Sequence, residues 1–232
     1  MPDQPAHEVR AREREDPSLA RLGAFSDGVF AFAITLLILA IRIPHPGDAD
    51  SGHGLLSILL GQWRSYLAYV LSFMLVGINW ANHRVMFSAF ARGTHVLTWL
   101  NLVYLMLAVA FVPIPTAVLG AWLGSSNGND EVVATVFYGV CVTVGAVTYM
   151  ILWWYGAYLA HLTTGVLTDM ERRAHTLAWA PSPFVLIVLT LIAFVSPAVA
   201  VVGFVAIVLL YVLPVPRLLA LAKSRRARRT AR

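Results

Sequence analysis

Charged residues are scarce in this chain of 232 residues. They make up 12% of it, about half the share of an average soluble domain, whereas hydrophobic residues reach 59%. A soluble enzyme or a nucleic-acid-binding domain of this length needs more charge to cover its surface, so the composition argues against both classes. Cysteine is almost absent: the single Cys141 excludes a disulfide framework and a cysteine-rich metal site.

Enzyme motifs are missing as well. The sequence has no HExxH, no GxSxG and no Walker loop, and no two of its seven histidines are four residues apart. We therefore expect that the chain is not an enzyme, that it binds no metal and that it needs no cofactor.

What the sequence does contain is apolar segments long enough to span a membrane. Six predicted spans cover residues 22–41, 65–81, 96–119, 132–160, 177–195 and 198–213. The last two divide a stretch without charge that is too long for one helix, and Ser196-Pro197 is its natural break. The predicted fold is therefore an all-α membrane domain (21–216) between a polar tail (1–20) and a basic tail (217–232).

The placement of basic residues tests the number of spans. With six spans, both termini lie on one side of the membrane, and all but two of the 17 Lys and Arg residues fall on that side. The two exceptions are Arg42 and Arg64. Because basic loops stay in the cytoplasm, we expect both termini to be cytoplasmic.

The basic run at residues 223–229 has two interpretations. It is either an anchor on anionic lipid headgroups or an element that binds a specific lipid or nucleic acid. The sequence favours the anchor, so we expect membrane lipids and no nucleic acid as partners of this tail.

The start of the first span carries Asp27, the only acidic residue within an apolar span. An unpaired carboxylate there is costly, and we expect Arg21 to pair with it. The alternative is that Ser26 and Asp27 simply cap the start of the helix. Further polar side chains on spans two and three are expected at the same depth, and these are Asn79, Trp80, Asn82, His83 and Asn101.

Helical periodicity places several residues of the first span on one face. A stripe of about a third of the circumference holds Gly28, Phe32, Thr35, Leu36 and Leu39. The periodicity alone leaves open whether this face packs against other helices or lines a pore.

These residues resemble a known family. Arg21-x-x-x-Phe25-Ser26-Asp27 resembles the RxxxFSD signature of the transmembrane protein 175 family, which comprises lysosomal potassium channels and their prokaryotic relatives. The similarity continues in Asn79-Trp80-Ala-Asn-His83 and Trp99-Leu-Asn101, and it covers roughly the first half of the chain.

The resemblance implies a cation channel of the cell membrane that favours potassium and assembles as a homotetramer of six-span chains. Its pore is expected on the fourfold axis, lined by the first span. The implied constriction rings are Phe32, Leu36 and Leu39, with a hydroxyl ring at Thr35, and the implied polar network is Arg21, Phe25, Ser26, Asp27, Trp80, His83 and Asn101. Relatives usually carry an aliphatic residue at the position of Phe32, so the resemblance leaves open which ring is narrowest.

Two other functions stay open at this point. One is a proton-coupled secondary transporter with Asp27 and His83 as the proton relay, although no inverted repeat supports it. The other is a membrane scaffold that conducts no ions.

Overall fold

The computed structural model describes residues 16–48, 54–125 and 127–212, and these ranges are helical, without a β-strand. Most of the predicted polar tail (1–20) and the whole basic tail (217–232) lie outside them. The lipid anchor at residues 223–229 therefore stays a prediction.

Within the described ranges the chain forms nine α-helices, which we number in chain order. They are α1 (Pro17–Leu36), α2 (Leu55–Gly61), α3 (Trp63–Ser88), α4 (His95–Leu105), α5 (Pro113–Trp122), α6 (Gly128–Trp154), α7 (Asp169–Trp179), α8 (Pro181–Ile192) and α9 (Pro197–Val212). A 3-10 turn, Leu37–Ala40, continues α1, and π-helical turns continue α4 (Met106–Ala110) and α6 (Tyr155–Leu159).

Four helical segments in the described ranges are long and apolar enough to cross a membrane. They are Pro17–Leu39, His95–Trp122, Gly128–Leu159 and Asp169–Ile192, and the helix at Pro197–Tyr211 is apolar but shorter. Helix α3 is 26 residues long and carries several polar side chains in its second half. The protein is an integral membrane protein; the count of six spans stays a prediction.

The break between α4 and α5 follows from Pro113, which has no N–H to donate into the preceding turn. The chain widens into a π-helical turn just before it. In compensation, the Asn79 side chain of α3 donates a hydrogen bond to the Ala108 carbonyl (3.2 Å). A polar residue of α3 thus ties α3 to the irregular turn of α4.

Helix α6 packs against α4, α5 and α8 and forms the centre of the bundle. Glycines allow the closest approaches. A Cβ on Gly139 would overlap the Thr190 side chain of α8, and a Cβ on Gly203 of α9 would overlap Leu189. Small residues of this kind let apolar helices pack tightly inside a membrane.

Asp16 fixes the start of α1. Its carboxylate accepts from the backbone N–H of Ser18 (2.8 Å), which caps the helix, and from that of Gly93 (2.8 Å), in the loop between α3 and α4. Hydrogen bonds from Ser18 and Gly93 lower the pKa of the Asp16 carboxyl below its ordinary 3.8. The charged carboxylate therefore joins the start of α1 to the loop between α3 and α4.

We expect Asp16→Ala to lower Tm, because both backbone donors lose their acceptor. Since the pKa of the folded state is lowered, the contribution of Asp16 is present above pH 3.8 and is lost as the pH falls through the folded-state pKa. The difference in Tm between wild type and Asp16→Ala, measured in detergent across this range, should therefore shrink below pH 3.8. A difference that stays constant contradicts the role of the carboxylate.

Candidate functional site

Helix α1 leaves one face uncovered in the single chain. Phe32 is 65% exposed, Leu36 42% and Leu39 75%, and Phe25 and Thr35 lie on the same exposed face. The opposite face is buried against the other helices through Leu22, Ser26, Phe30, Ala33 and Leu37. The predicted stripe thus lies on a face of α1 that the rest of the chain leaves largely exposed.

The local backbone aligns the upper part of this face. After Leu36 the helix tightens into a 3-10 turn, in which residues three apart stand almost directly above each other, so Leu36 and Leu39 share one side. The Thr35 hydroxyl donates to the Phe32 carbonyl (2.8 Å), which leaves the lone pairs of its oxygen free to face outward. Lower on the helix, a Cβ on Gly28 would meet no atom within 4 Å, so the face is open at this level.

Behind the exposed face lies a buried chain of hydrogen bonds that joins α1, α4 and α3. The Ser26 hydroxyl donates to the Leu22 carbonyl (2.8 Å) and accepts from the Asn101 amide Nδ2 (2.9 Å), while Asn101 Oδ1 lies 2.8 Å from His83 Nε2. Ser26, His83 and Asn101 are all at most 1% exposed. Because Asn101 Oδ1 is an acceptor, His83 Nε2 carries the proton in this arrangement.

Aromatic rings enclose the His83 imidazole. Phe87 stacks on it with ring centroids 4.1 Å apart, and Tyr104 and Phe30 lie at 5.8 Å and 5.4 Å. A buried imidazole held between rings with its Nε2–H satisfied has one fixed orientation. The geometry therefore supports a positioning role that holds α1 against α3 and α4.

Asp27 does not pair with Arg21. Its carboxylate accepts from the Trp80 indole N–H of α3 (2.8 Å), and the Arg84 guanidinium lies 5.4 Å from the centre of the Trp80 ring. Among the described residues the ion pairs are Arg42–Asp48 and Arg172–Asp169. Six helical residues separate Arg21 from Asp27 by about 9 Å of rise and about a third of a turn, which explains why they do not meet.

The capping alternative for Ser26 and Asp27 is also wrong. Helix α1 begins at Pro17 with Asp16 as its N-cap, so Ser26 and Asp27 lie about ten residues into the helix, where the backbone N–H groups already have partners. Their side chains instead contact neighbouring helices.

The structure thus divides the predicted polar network in two. Ser26, His83 and Asn101 form the buried chain, and Asp27 and Trp80 form a separate pair. Arg21 and Phe25 stay on the exposed face of α1. Sequence reasoning missed Asp16 as the cap and Ala108 as the partner of Asn79; the Asp-Pro start of α1 was the available signal for the first.

The chain is similar to known ion channels. The family described as the endosomal/lysosomal potassium channel TMEM175 matches residues 21–113. A potassium channel of Streptomyces collinus is 42% identical over 160 residues, which are 69% of this chain and 75% of that protein. A potassium channel of Chamaesiphon minutus is 37% identical over 182 residues, which are 78% of this chain and 87% of that protein.

Two further similarities extend the comparison. The human endosomal/lysosomal proton channel TMEM175 is 36% identical over 111 residues, which are 45% of this chain and 21% of that protein. The crystal structure of a lysosomal potassium-selective channel TMEM175 homolog from Chamaesiphon minutus superposes with a TM-score of 0.73 at 33% identity and covers 84% of this chain and 96% of that chain. These relatives are ion channels and not enzymes.

Proposed function

This chain belongs to the TMEM175 family and is a cation channel, and from this premise we propose that it conducts potassium through a pore lined by helix α1. The observation that carries the proposal is the continuous face of α1 that the other helices leave exposed, with Phe32, Leu36 and Leu39 along it. Two relatives over most of this chain are named potassium channels, which supports potassium as the permeant ion.

The proposed assembly is a homotetramer of six-span chains in the cell membrane, with both termini cytoplasmic and no resident cofactor. The placement of basic residues supports the topology. Around a fourfold axis, four copies of α1 would turn their exposed faces to one another and enclose a pore, while the buried Ser26–Asn101–His83 chain holds each α1 in position from behind.

Selectivity in this arrangement comes from apolar rings. The chain has no TVGYG-like loop to supply rings of carbonyl oxygens. A narrow apolar ring expels water, so an ion must shed part of its hydration shell to pass, and sodium holds that shell more tightly than potassium. The difference is on the order of 1–2 kcal/mol, where about 1.4 kcal/mol means a factor of ten, and the Thr35 lone pairs replace part of the lost water.

The direct test is flux from liposomes that contain the purified protein. With a potassium gradient we expect flux that falls when sodium replaces potassium. No flux from protein whose tetrameric assembly has been verified contradicts an open potassium pore, and uptake against a gradient that requires a proton gradient supports the transporter instead.

Asp27→Asn separates the channel from a proton relay. The amide oxygen of asparagine still accepts from the Trp80 indole, so the contact between α1 and α3 is retained while the titratable carboxylate is lost. For a channel we expect assembly and potassium flux within about twofold of wild type. Loss of proton-dependent uptake, with assembly intact on a sizing column, is the result that a relay through Asp27 and His83 requires.

A further inference from the structure

A cleft of about 690 Å³ lies away from the α1 face, between α3, α6, α8 and α9. Its volume falls in the range of small-molecule binding sites, roughly 300–1,000 Å³. Interiors of folded proteins are close-packed, and even an engineered void of about 150 Å³ is large enough to bind a small apolar molecule. A cleft of this size is therefore large enough to hold a bound molecule.

The lining of the cleft changes from polar to apolar along its length. Asn82 of α3, Ser182 of α8 and Tyr211 of α9 lie at one end, where the hydroxyls of Ser182 and Tyr211 are 2.6 Å apart. At the same end the Tyr149 hydroxyl donates to the Asn82 backbone carbonyl (3.0 Å), and the Tyr149 ring packs edge-on against the Trp179 ring.

The opposite end is apolar. One to two helical turns further along the same helices, the lining consists of Leu75, Leu186 and Phe204, and the ring of Tyr138 packs edge-on against Phe204 with centroids 5.1 Å apart. The seven residues from Leu75 to Asn82, and equally from Phe204 to Tyr211, span about 10 Å. The polar and apolar ends are thus separated along the helix axes.

We propose that this cleft binds one acyl chain, with its oxygen-bearing head at Asn82, Ser182 and Tyr211 and its tail toward Phe204. Asn79 and Tyr138 also line the cleft outside this end, and the Asn79 amide already donates to the Ala108 carbonyl. A cleft whose hydrogen-bonding groups are concentrated at one end matches an amphiphile with a single chain. The bilayer around the protein supplies acyl chains at high concentration. The head is either a fatty-acid carboxyl or the ester of a phospholipid, since both present oxygens to these groups.

The test uses the intrinsic fluorescence of Trp179, which lines the cleft. Brominated acyl chains quench tryptophan at short range. Delipidated protein in detergent is titrated with dibromostearic acid and, in a second arm, with phosphatidylcholine that carries one brominated chain. We expect saturable quenching that Trp179→Phe removes, and the arm in which it occurs identifies the source of the chain.

Ala146→Phe fills the cleft from α6, and Val147→Phe adds the same ring one position away, at a residue outside the lining. We expect Ala146→Phe to weaken saturable binding at least tenfold and Val147→Phe to leave it unchanged. If Ala146→Phe does not assemble, Tyr211→Phe serves instead, because it removes a head contact and keeps the ring. Absence of Trp179 quenching in both arms, or quenching that survives Ala146→Phe, overturns the proposal whatever the flux assay shows.

Discussion

Leu39→Ala is expected to abolish most of the preference for potassium over sodium and to raise the total cation flux. Leu39 is 75% exposed at the outer end of the α1 face. Shortening its side chain to alanine therefore widens the proposed ring without leaving a cavity inside the chain. A wider ring stays wet, ions keep their hydration shells, and the difference of about 1–2 kcal/mol between the two ions disappears. The permeability ratio should fall by about tenfold toward unity, as measured by reversal potentials in planar bilayers.

Ile38→Ala is the matched control. Ile38 is the neighbouring residue in the same 3-10 turn and is 50% exposed, but it points about 120° away from Leu39. We expect a permeability ratio close to that of wild type. An equal loss of selectivity in Leu39→Ala and Ile38→Ala contradicts this assignment, and so does unchanged selectivity in both Leu39→Ala and Leu36→Ala. Either result places the constriction elsewhere on α1 and makes Phe32 the next residue to test.

That Phe32, Thr35, Leu36 and Leu39 share one face of α1 was predictable, because helical periodicity decides it, but periodicity did not decide whether other helices cover that face. Every third or fourth residue of the segment faces one way, and that arithmetic needs no tertiary information. The same arithmetic does not predict which residue of another helix a side chain contacts. Trp80 lies 53 residues from Asp27, and only the packing of α3 beside α1 makes its indole the donor, whereas Arg21 is close in sequence and faces elsewhere.

Helix starts and irregular turns were harder to predict. The polar residues Ser26 and Asp27 resemble a cap, but the apolar pattern extends toward the N-terminus and the helix begins at Asp16-Pro17, ten residues earlier. The widened turn before Pro113 depends on Asn79 of another helix, and the cleft depends on how four helices diverge. The widened turn and the cleft follow from contacts that are distant in sequence, for which the sequence alone has no signal, whereas the Asp16-Pro17 start of α1 has a local one.

Asn101→Leu is expected to destabilise the protein by about 2 kcal/mol. Leucine has a similar volume but leaves the His83 Nε2–H without an acceptor and the Ser26 hydroxyl without its donor, and both groups are buried. An unpaired buried polar group costs about 1–3 kcal/mol, and hydrogen bonds between membrane helices contribute about 0.6–2 kcal/mol. The free energy of unfolding, measured by denaturation in mixed micelles, gives the value directly.

The control is Asn82→Leu, the same substitution on α3 at a half-buried residue whose side chain is not part of the hydrogen-bonded chain; we expect a loss below about 1 kcal/mol. A double variant, Ser26→Ala with Asn101→Leu, should cost less than the sum of its parts, because the second change removes a group that the first has already left unpaired. Additive costs contradict a connected network. If Asn101→Leu leaves the stability unchanged but lowers the permeability ratio, the chain of hydrogen bonds acts by orienting α1. Asn101 lies behind α1 and does not face the proposed pore, so a rotation of α1 is the way in which it affects the permeant ions.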